Sequence, residues 1–257
     1  MDDYINLSEF GFNIYSQNGE DGIIQELIKR LNLNKINKMN WCVEFGAWDG
    51  IHLSNTFNLV TKGWEAVYIE GDPHRFNSLK KTRENFKNIF PINNYVSKDK
   101  KSKTSLDNLL KITPIPKEFE LLSIDIDSFD LEVWESLSLY KPKIVIIEIN
   151  SSYLPGIYKW HSDYNKNCNG NSFSATLNVA QKKGYELVCH TGNMIFVRRE
   201  LLELVKINDK YILYPELLFN YKWFSIAQKG SIFNLILKIK AFFKEKIIRR
   251  LKEVLKK

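Results

Sequence analysis

Strand-like and helix-like segments alternate between residues 41 and 150, and this alternation restricts the possible fold more than any other feature of the chain. The strand-like runs are long apolar stretches, which indicates strands covered on both faces, as in a parallel sheet. A hairpin pattern over residues 185–198 follows. The sequence therefore predicts an α/β fold with a mostly parallel sheet and helices on both faces. Strands are expected at residues 41–45, 63–70, 89–96, 120–127, 143–150, 185–190 and 194–198.

Three regions are expected along the chain. Residues 1–40 form an N-terminal segment with a capped helix at 20–31, residues 41–200 form the α/β domain, and residues 201–257 form a C-terminal extension. Residues 151–171 lack periodicity, and a loop of that length is usually functional or disordered. Further helices are expected at residues 53–62, 74–86, 105–111, 131–139 and 173–183.

The net charge of +7 is concentrated at the C-terminus. Residues 231–257 contain nine Lys or Arg and two Glu, so the rest of the chain is neutral and gives no reason to expect a nucleic-acid partner. This basic segment is expected to form an amphipathic helix that either contacts a membrane surface or packs on the protein body or a second copy in a homodimer. The cysteine pattern fits a reducing compartment, so we expect a cytoplasmic protein, with a peripheral position at the inner face of the membrane as an extension of that expectation.

The stretch Trp41–Gly50 combines a buried strand with a turn that contains two glycines. Gly46 and Gly50 allow the backbone to approach a ligand closely. Glu44 and Asp49 add carboxylates that a phosphate site would not favour, so the ligand should carry a cation or hydroxyls.

Acidic and amide side chains stand at the expected carboxyl ends of four strands, where open α/β sheets bind their ligands. They are Glu44 in the first strand, Glu70 in the second, Asp125 and Asp127 in the fourth, and Glu148 and Asn150 in the fifth. Glu70 follows the glycine turn by about 20 residues, the spacing at which such folds offer a carboxylate to ribose hydroxyls.

These motifs together resemble the FkbM-type branch of the class I S-adenosylmethionine-dependent methyltransferases over about residues 12–200. The resemblance implies a Rossmann-like class I methyltransferase fold, with a seven-stranded sheet that contains one antiparallel strand. It also implies a cytoplasmic enzyme of a kind that often methylates hydroxyls in polysaccharide, glycolipid or natural-product pathways. The residues that carry it are Tyr15-Ser16-Gln17 with Gly19-Glu20-Asp21, Val43 to Gly50, Ser54-Asn55-Thr56, Gly63-Trp64 leading to Glu70, Ser123 to Asp127, Glu148-Ile149-Asn150 and Asn193 to Arg198.

By this resemblance, Glu44, Gly46 and Gly50 should line the methionine end of S-adenosylmethionine, and Glu70 should hold the ribose hydroxyls. Residues 94–96 should flank the adenine. Gln17, Ser54, Asn55, Asn94 and Asp125 complete the expected cofactor-binding set.

Methyl transfer to a sugar hydroxyl needs a base or a metal, because the hydroxyl is a weak nucleophile. Asp127, Glu148 and Asn150 are hard oxygen ligands that suit Mg²⁺, Mn²⁺ or Ca²⁺. Asp127, Glu148 and His161 are the expected catalytic residues, and His161 is the candidate base because it lies in the long loop after the fifth strand. An alternative role for Asp125 and Asp127 is hydrogen bonding to backbone amides and the cofactor amine.

Two other functions stay open at this stage. Asp125-Ile126-Asp127 has the spacing of the metal and nucleotide site of glycosyltransferases, but this spacing does not explain Glu44 to Gly50 or Glu70. A non-catalytic binding module tethered to a membrane complex by its basic tail is the other alternative. The acidic residues at every strand end favour the methyltransferase, with a sugar-containing molecule or glycan as acceptor.

Overall fold

A computed structural model describes residues 5–33, 39–161 and 170–228, and within them a single sheet of seven strands organises the protein. The spatial order of the strands is β3-β2-β1-β4-β5-β7-β6. The first five strands are parallel, and β7 runs antiparallel between β5 and β6. The strands are β1 Trp41–Phe45, β2 Glu65–Glu70, β3 Ile89–Asn93, β4 Leu121–Ile124, β5 Ile144–Glu148, β6 Tyr185–His190 and β7 Asn193–Arg198.

This topology is the Rossmann-like fold of class I methyltransferases, and it confirms the predicted fold class. The order reverses at β1, with β2 on one side and β4 on the other. Such a switch point opens a crevice outside the carboxyl ends of the strands.

Local sequence signals explain where several helices begin. Asp72 accepts hydrogen bonds from the backbone N–H groups of His74 and Arg75, and Pro73 occupies the first helical position of α3. Ser172 caps α6 in the same way. The helices are α1 Glu20–Arg30, α2 Phe57–Val60, α3 Pro73–Asn85, α4 Leu106–Lys111, α5 Asp130–Ser136, α6 Phe173–Lys182, α7 Leu202–Val205 and α8 Asp209–Leu213, and residues 221–228 are also helical.

Apolar side chains cover both faces of the sheet. Successive residues of a strand point to opposite faces; Val43 and Phe45 therefore join one core with α4, α5 and α6, while Cys42 joins a second core with α1 and α2. The terminal regions contribute to these cores as well, since Leu7 and Val205 are buried in the second and Phe219 in the first.

The structure corrects the bounds of several predicted elements near the site, and the third and fifth strands, expected through residues 96 and 150, end at Asn93 and Glu148. The helix expected from residue 53 begins only at Phe57, because the side chains of Ser54 and Thr56 turn back to hydrogen-bond Glu44. The fourth strand, expected through residue 127, ends at Ile124, so Asp125 and Asp127 belong to the loop that follows.

The basic segment 231–257 and residues 162–169 of the long loop lie outside the described residues. In the part of the chain that is described, no helix is long and apolar enough to cross a membrane.

Candidate active site

The turn after β1 fits only glycine at Gly46. Its φ is +80°, a region that L side chains rarely adopt, and a Cβ atom there would overlap the carbonyl oxygen of Asp125. The backbone N–H groups of Gly46 and Ala47 both donate to the carbonyl oxygen of Ile69, at 3.0 and 3.2 Å. The turn is therefore held tightly against β2 and against the backbone that follows β4.

Glu70 joins the glycine turn to the end of β2. One of its carboxylate oxygens accepts the N–H of Trp48 at 2.8 Å, and the other accepts the N–H of Asp72 at 2.7 Å. The side chain is buried. Each carboxylate oxygen can accept a second hydrogen bond, so the residue retains capacity for ligand hydroxyls.

Glu44 lies in a buried hydrogen-bond network with the segment after the turn. Its carboxylate accepts hydrogen bonds from the hydroxyls of Ser54 at 2.7 Å and Thr56 at 2.5 Å, and from the N–H of Asn55 at 3.3 Å. Burial raises the pKa of Glu44 above its ordinary range. These contacts give Glu44, Ser54 and Asn55 a supporting role for the turn; direct contact with a cofactor stays a prediction for all three.

The end of β3 presents exposed side chains beside β2. Asn93 donates from its side-chain amide to the carbonyl oxygen of Glu70 at 2.8 Å, and Asn94 is exposed. The ring of Tyr95 lies directly over Gly71, where any side chain would overlap it. This edge therefore offers an exposed aromatic ring next to Glu70, in the region predicted to flank adenine.

Three carboxylates gather where β4 and β5 end. Asp125, Asp127 and Glu148 each offer an oxygen atom, and these atoms lie within 4.8 Å of one another. Asp125 keeps an exposed surface, yet the surrounding protein desolvates its carboxylate and, with the charges of Asp130 and Asp127, raises its pKa to about 7. Desolvation and the charge of Asp125 raise the pKa of Glu148 to about 9. The cluster thus binds protons unusually well for carboxylates.

Asp130, at the start of α5, shapes the loop that carries this cluster. Its carboxylate accepts the N–H groups of Ile126 at 2.8 Å and Ser128 at 2.9 Å. Between them, Asp127 has a φ of +56°. The loop is fixed in a sparsely populated backbone conformation that brings Asp127 beside Glu148.

Asn150 has its side-chain oxygen engaged in a turn. The oxygen accepts hydrogen bonds from the N–H of Ser152 at 3.0 Å and from its hydroxyl at 2.5 Å. Asp127 and Glu148 of the predicted metal set Asp127, Glu148 and Asn150 gather with Asp125, and Asn150 lines the same cleft, so its part in holding a metal stays a prediction.

A cleft of about 360 Å³ opens in front of the carboxylates. Its lining combines polar side chains from the N-terminal segment and the strand ends with apolar side chains, which come from Ile149 and the C-terminal extension. The lining includes Gln17, Asn18, Asp127, Asp130, Glu148, Asn150, Ser151, Gly170, Gly192, Asn193, Trp223, Ile226 and Ala227.

The acids that open α1 hold the cleft wall in place. Asp21 accepts three backbone N–H groups, those of Ile14, Tyr15 and Ser16, at 2.7 to 2.8 Å. Glu20 is fully buried and accepts hydrogen bonds from the side chains of Thr191 at 2.7 Å and Asn193 at 2.9 Å. These bonds position Gln17 and Asn18 opposite the β6–β7 turn.

His161 lies to the side of the cleft. Its ring is edge-on to Phe129 at 4.7 Å, and its Nδ1 accepts the N–H of Gly170 at 3.2 Å. Gly170, rather than His161, lines the cleft. The carboxylates are therefore better placed than His161 to act on a group bound in the cleft, and the role of His161 as a base stays a prediction.

Sequence reasoning missed the contribution of the C-terminal extension. Trp223, Ile226 and Ala227 occur at helical spacing and form one wall of the cleft. The spacing was visible in the sequence, but nothing local indicated that this face meets the β6–β7 turn.

No protein-family model matches the chain, and no curated protein matches it in sequence. Several solved methyltransferase structures are similar to it. A candidate caffeoyl-CoA O-methyltransferase from Staphylococcus aureus shares 14% identity, with 72% of this chain and 84% of that chain covered and a TM-score of 0.46. The methyltransferase domain of METTL16 shares 16% identity, covering 73% and 70% with a TM-score of 0.46. The N-terminal domain of EvdMO1, crystallised in the presence of SAH and D-fucose, shares 10% identity, covering 77% and 91% with a TM-score of 0.43.

These likenesses are distant, and the strand order defines the fold. The chain has a class I methyltransferase fold, and its glycine turn, Glu70 and acidic cluster lie at the carboxyl ends of the strands, where open α/β sheets bind their ligands.

Proposed function

We propose that the protein is an S-adenosylmethionine-dependent O-methyltransferase of the FkbM type that methylates a hydroxyl of a sugar. The observation that carries the proposal is the meeting of two half-sites at one edge of the sheet. The glycine turn and Glu70 stand at β1 and β2, and the carboxylates and their cleft stand at β4 and β5.

The residues around the glycine turn fit S-adenosylmethionine. Gly46 lets the turn close tightly against the Asp125 backbone at the strand ends, and the buried Glu70 keeps acceptor capacity for ribose hydroxyls. Tyr95 and Asn94 would border the adenine. When bound, the cofactor supplies an electrophilic methyl group on a sulfonium centre.

The cleft side is suited to the acceptor. Adjacent strands are about 4.8 Å apart, so the ends of β1 and β5, separated by β4, lie about 10 Å from each other. Asp127 and Glu148 line the cleft and can orient a hydroxyl by accepting its hydrogen bond. The pKa of about 7 leaves Asp125 partly ionised near neutral pH, so its carboxylate can accept the proton that the hydroxyl releases, whereas the pKa of about 9 keeps Glu148 protonated there.

A divalent cation at the carboxylates is a second form of the same proposal. Asp125, Asp127 and Glu148 have the oxygen chemistry that Mg²⁺, Mn²⁺ or Ca²⁺ prefers, and their mutual repulsion favours a bound cation. A cation held there would lower the pKa of a bound hydroxyl.

Mass spectrometry of acceptor sugars after incubation with S-adenosylmethionine tests this function. The panel would contain methyl glycosides and nucleotide-linked sugars, each with and without exhaustive chelation. We expect at least one sugar to gain a methyl group and Asp127→Asn to lower its rate by about 100-fold or more. Asp99→Asn, which changes an exposed acid in the loop after β3, is the control and should retain the rate.

Two outcomes test separate parts of the proposal, the bound cation and the sugar acceptor. Full turnover after chelation would rule out the cation and leave the carboxylates as the base. A protein that binds S-adenosylhomocysteine but methylates no sugar of the panel would contradict the sugar acceptor.

A further inference from the structure

The C-terminal extension places an aromatic ring in the wall of the cleft. Trp223 lines the cleft together with Asn18, Asn150 and Asn193. Its ring lies against the turn between β6 and β7, where Gly192 has a φ of +98° and a Cβ atom built on Gly192 would stand 3.5 Å from two ring carbons. The Trp223 ring therefore packs beside the backbone of this turn.

The segment that carries Trp223 is anchored to the sheet just before the helix. The backbone N–H of Asn220 donates to Nδ1 of the buried His190 at 3.0 Å, and the Phe219 ring stacks on His190 with centroids 4.9 Å apart. Nε2 of the same histidine lies 3.1 Å from the hydroxyl of Ser151, which itself lines the cleft. One buried histidine thus connects the C-terminal wall to the end of β5.

The helix then begins in a defined register. The Asn220 side chain accepts the N–H of Lys222 at 3.0 Å, and the N–H of Trp223 donates to the Asn220 carbonyl oxygen at 3.1 Å. Trp223, Ile226 and Ala227 consequently share the face that meets the cleft. Trp223 keeps partial exposure, so its ring is available to a ligand.

Taken together, this wall has the chemistry of a carbohydrate site. Sugars present hydroxyls at their rim and C–H groups on their ring faces, so they need polar partners around an apolar surface. The amides of Gln17, Asn18 and Asn193 supply the polar partners, and the ring of Trp223 supplies the apolar surface. Lys222 Nζ lies 5.2 Å from the Trp223 ring centroid, in a side chain that is exposed and can move aside.

We infer that Trp223 is the platform on which the acceptor sugar lies, with the reacting hydroxyl directed to Asp127 and Glu148. This inference rests on the proposed function. The platform comes from outside the expected 41–200 domain, so the C-terminal extension completes the acceptor site and selects ring-shaped acceptors with an apolar face.

Ligand-observed NMR with a panel of methyl glycosides tests the platform, using the full-length protein saturated with S-adenosylhomocysteine. The glycosides of glucose, galactose, mannose, rhamnose and fucose serve as probes. We expect at least one to bind the wild type, Trp223→Ala to weaken it by about tenfold or more, and Trp223→Phe to restore most of the affinity. Tyr221→Ala, an aromatic truncation on an exposed position of the same helix, should leave glycoside binding unchanged.

Binding of S-adenosylhomocysteine distinguishes a failure of the methyltransferase proposal from a failure of the Trp223 inference alone. We expect calorimetry to give the same affinity for wild type and Trp223→Ala, which also shows that the variant is folded. A wild type that does not bind S-adenosylhomocysteine would overturn the methyltransferase proposal and this inference with it. Normal cofactor binding combined with equal glycoside affinity in Trp223→Ala, or with no glycoside binding by the wild type, would overturn the platform alone.

Discussion

At the residue scale, Gly46 is under the strictest constraint in the site. It combines a left-handed backbone with a position at which a Cβ atom would meet the carbonyl oxygen of Asp125. Gly63 has a similar φ of +86°, but a Cβ atom there would meet nothing within 4 Å. Alanine substitutions at the two positions therefore distinguish the energetic cost of backbone strain, present at both, from the cost of steric overlap, present only at Gly46.

We predict that Gly46→Ala destabilises the protein more than Gly63→Ala. A left-handed conformation costs an L residue about 1–2 kcal/mol, and only Gly46→Ala adds a clash with rigid backbone. Urea denaturation should show the larger loss for Gly46→Ala, and S-adenosylhomocysteine binding should fall only in that variant. Equal losses of unfolding free energy would show that the contact with Asp125 has no energetic weight.

Single residues also show which features of the site could be predicted from the sequence. The bounds of β1 and the place of Glu70 could be predicted because apolar runs and strand ends are local patterns. The partners of Glu44 could not, because Ser54 and Thr56 reach it only after the chain turns. The hydrogen bond from Ser152 to the side-chain oxygen of Asn150 could not be predicted either. This Asx turn uses an oxygen atom that could otherwise bind a ligand.

At the scale of elements, β6 and the segment after α8 meet at His190. Burial lowers the pKa of His190 to about 4, and its Nδ1 acts as a hydrogen-bond acceptor for the Asn220 N–H. Protonation would place a second donor against that N–H. The neutral form is therefore required for this contact, which positions the Trp223 wall.

We predict that protonation at His190 destabilises the fold in mild acid. The ordinary pKa of histidine is about 6.5, so as pH falls the unfolded chain takes up the proton first, and stability declines between pH 6.5 and 4. Between pH 7 and pH 5 this histidine alone should lower the unfolding free energy by about 2 kcal/mol. Denaturation of His190→Gln over the same range should lack this component, and parallel pH curves for the two proteins would contradict the assignment.

The element scale also explains why the cleft wall escaped sequence reasoning. Helical spacing identified α1, and the helix predicted over residues 173–183 matches α6. Residues 221–228 contain a comparable spacing, but their partner, the Gly192 turn, is about 30 residues away along the chain. Such a contact depends on the anchoring of Asn220 by His190, which no local pattern encodes.

At the scale of the whole molecule, the charge distribution separates a neutral body from a basic tail. The described chain reaches residue 228 beside the cleft, and the basic tail of residues 231–257 carries the entire net charge of +7. Its sequence places Ile236, Ile239, Phe243 and Ile247 on one helical stripe. We propose that this tail attaches the enzyme to an anionic membrane on the acceptor side.

We predict that the full-length protein floats with anionic liposomes at low salt and is released at high salt. Each basic residue near such a surface contributes about 1 kcal/mol, and salt screens this attraction. A chain ending at Gly230 is the control and should stay in the unbound fraction. Equal flotation of both chains, or flotation of neither, would assign the apolar stripe to a protein interface or a homodimer, which sedimentation would then detect.

The most direct test of the central claim is calorimetry with S-adenosylhomocysteine. We expect the wild type to bind it and Glu70→Gln to bind it about 10- to 100-fold more weakly, because hydrogen bonds to a charged group contribute about 1.5–3 kcal/mol. Glu65→Gln changes an acid at the opposite end of the same strand and should leave the affinity unchanged. Absence of binding by the wild type, or equal affinity in Glu70→Gln, would contradict the assignment of this edge as a cofactor site.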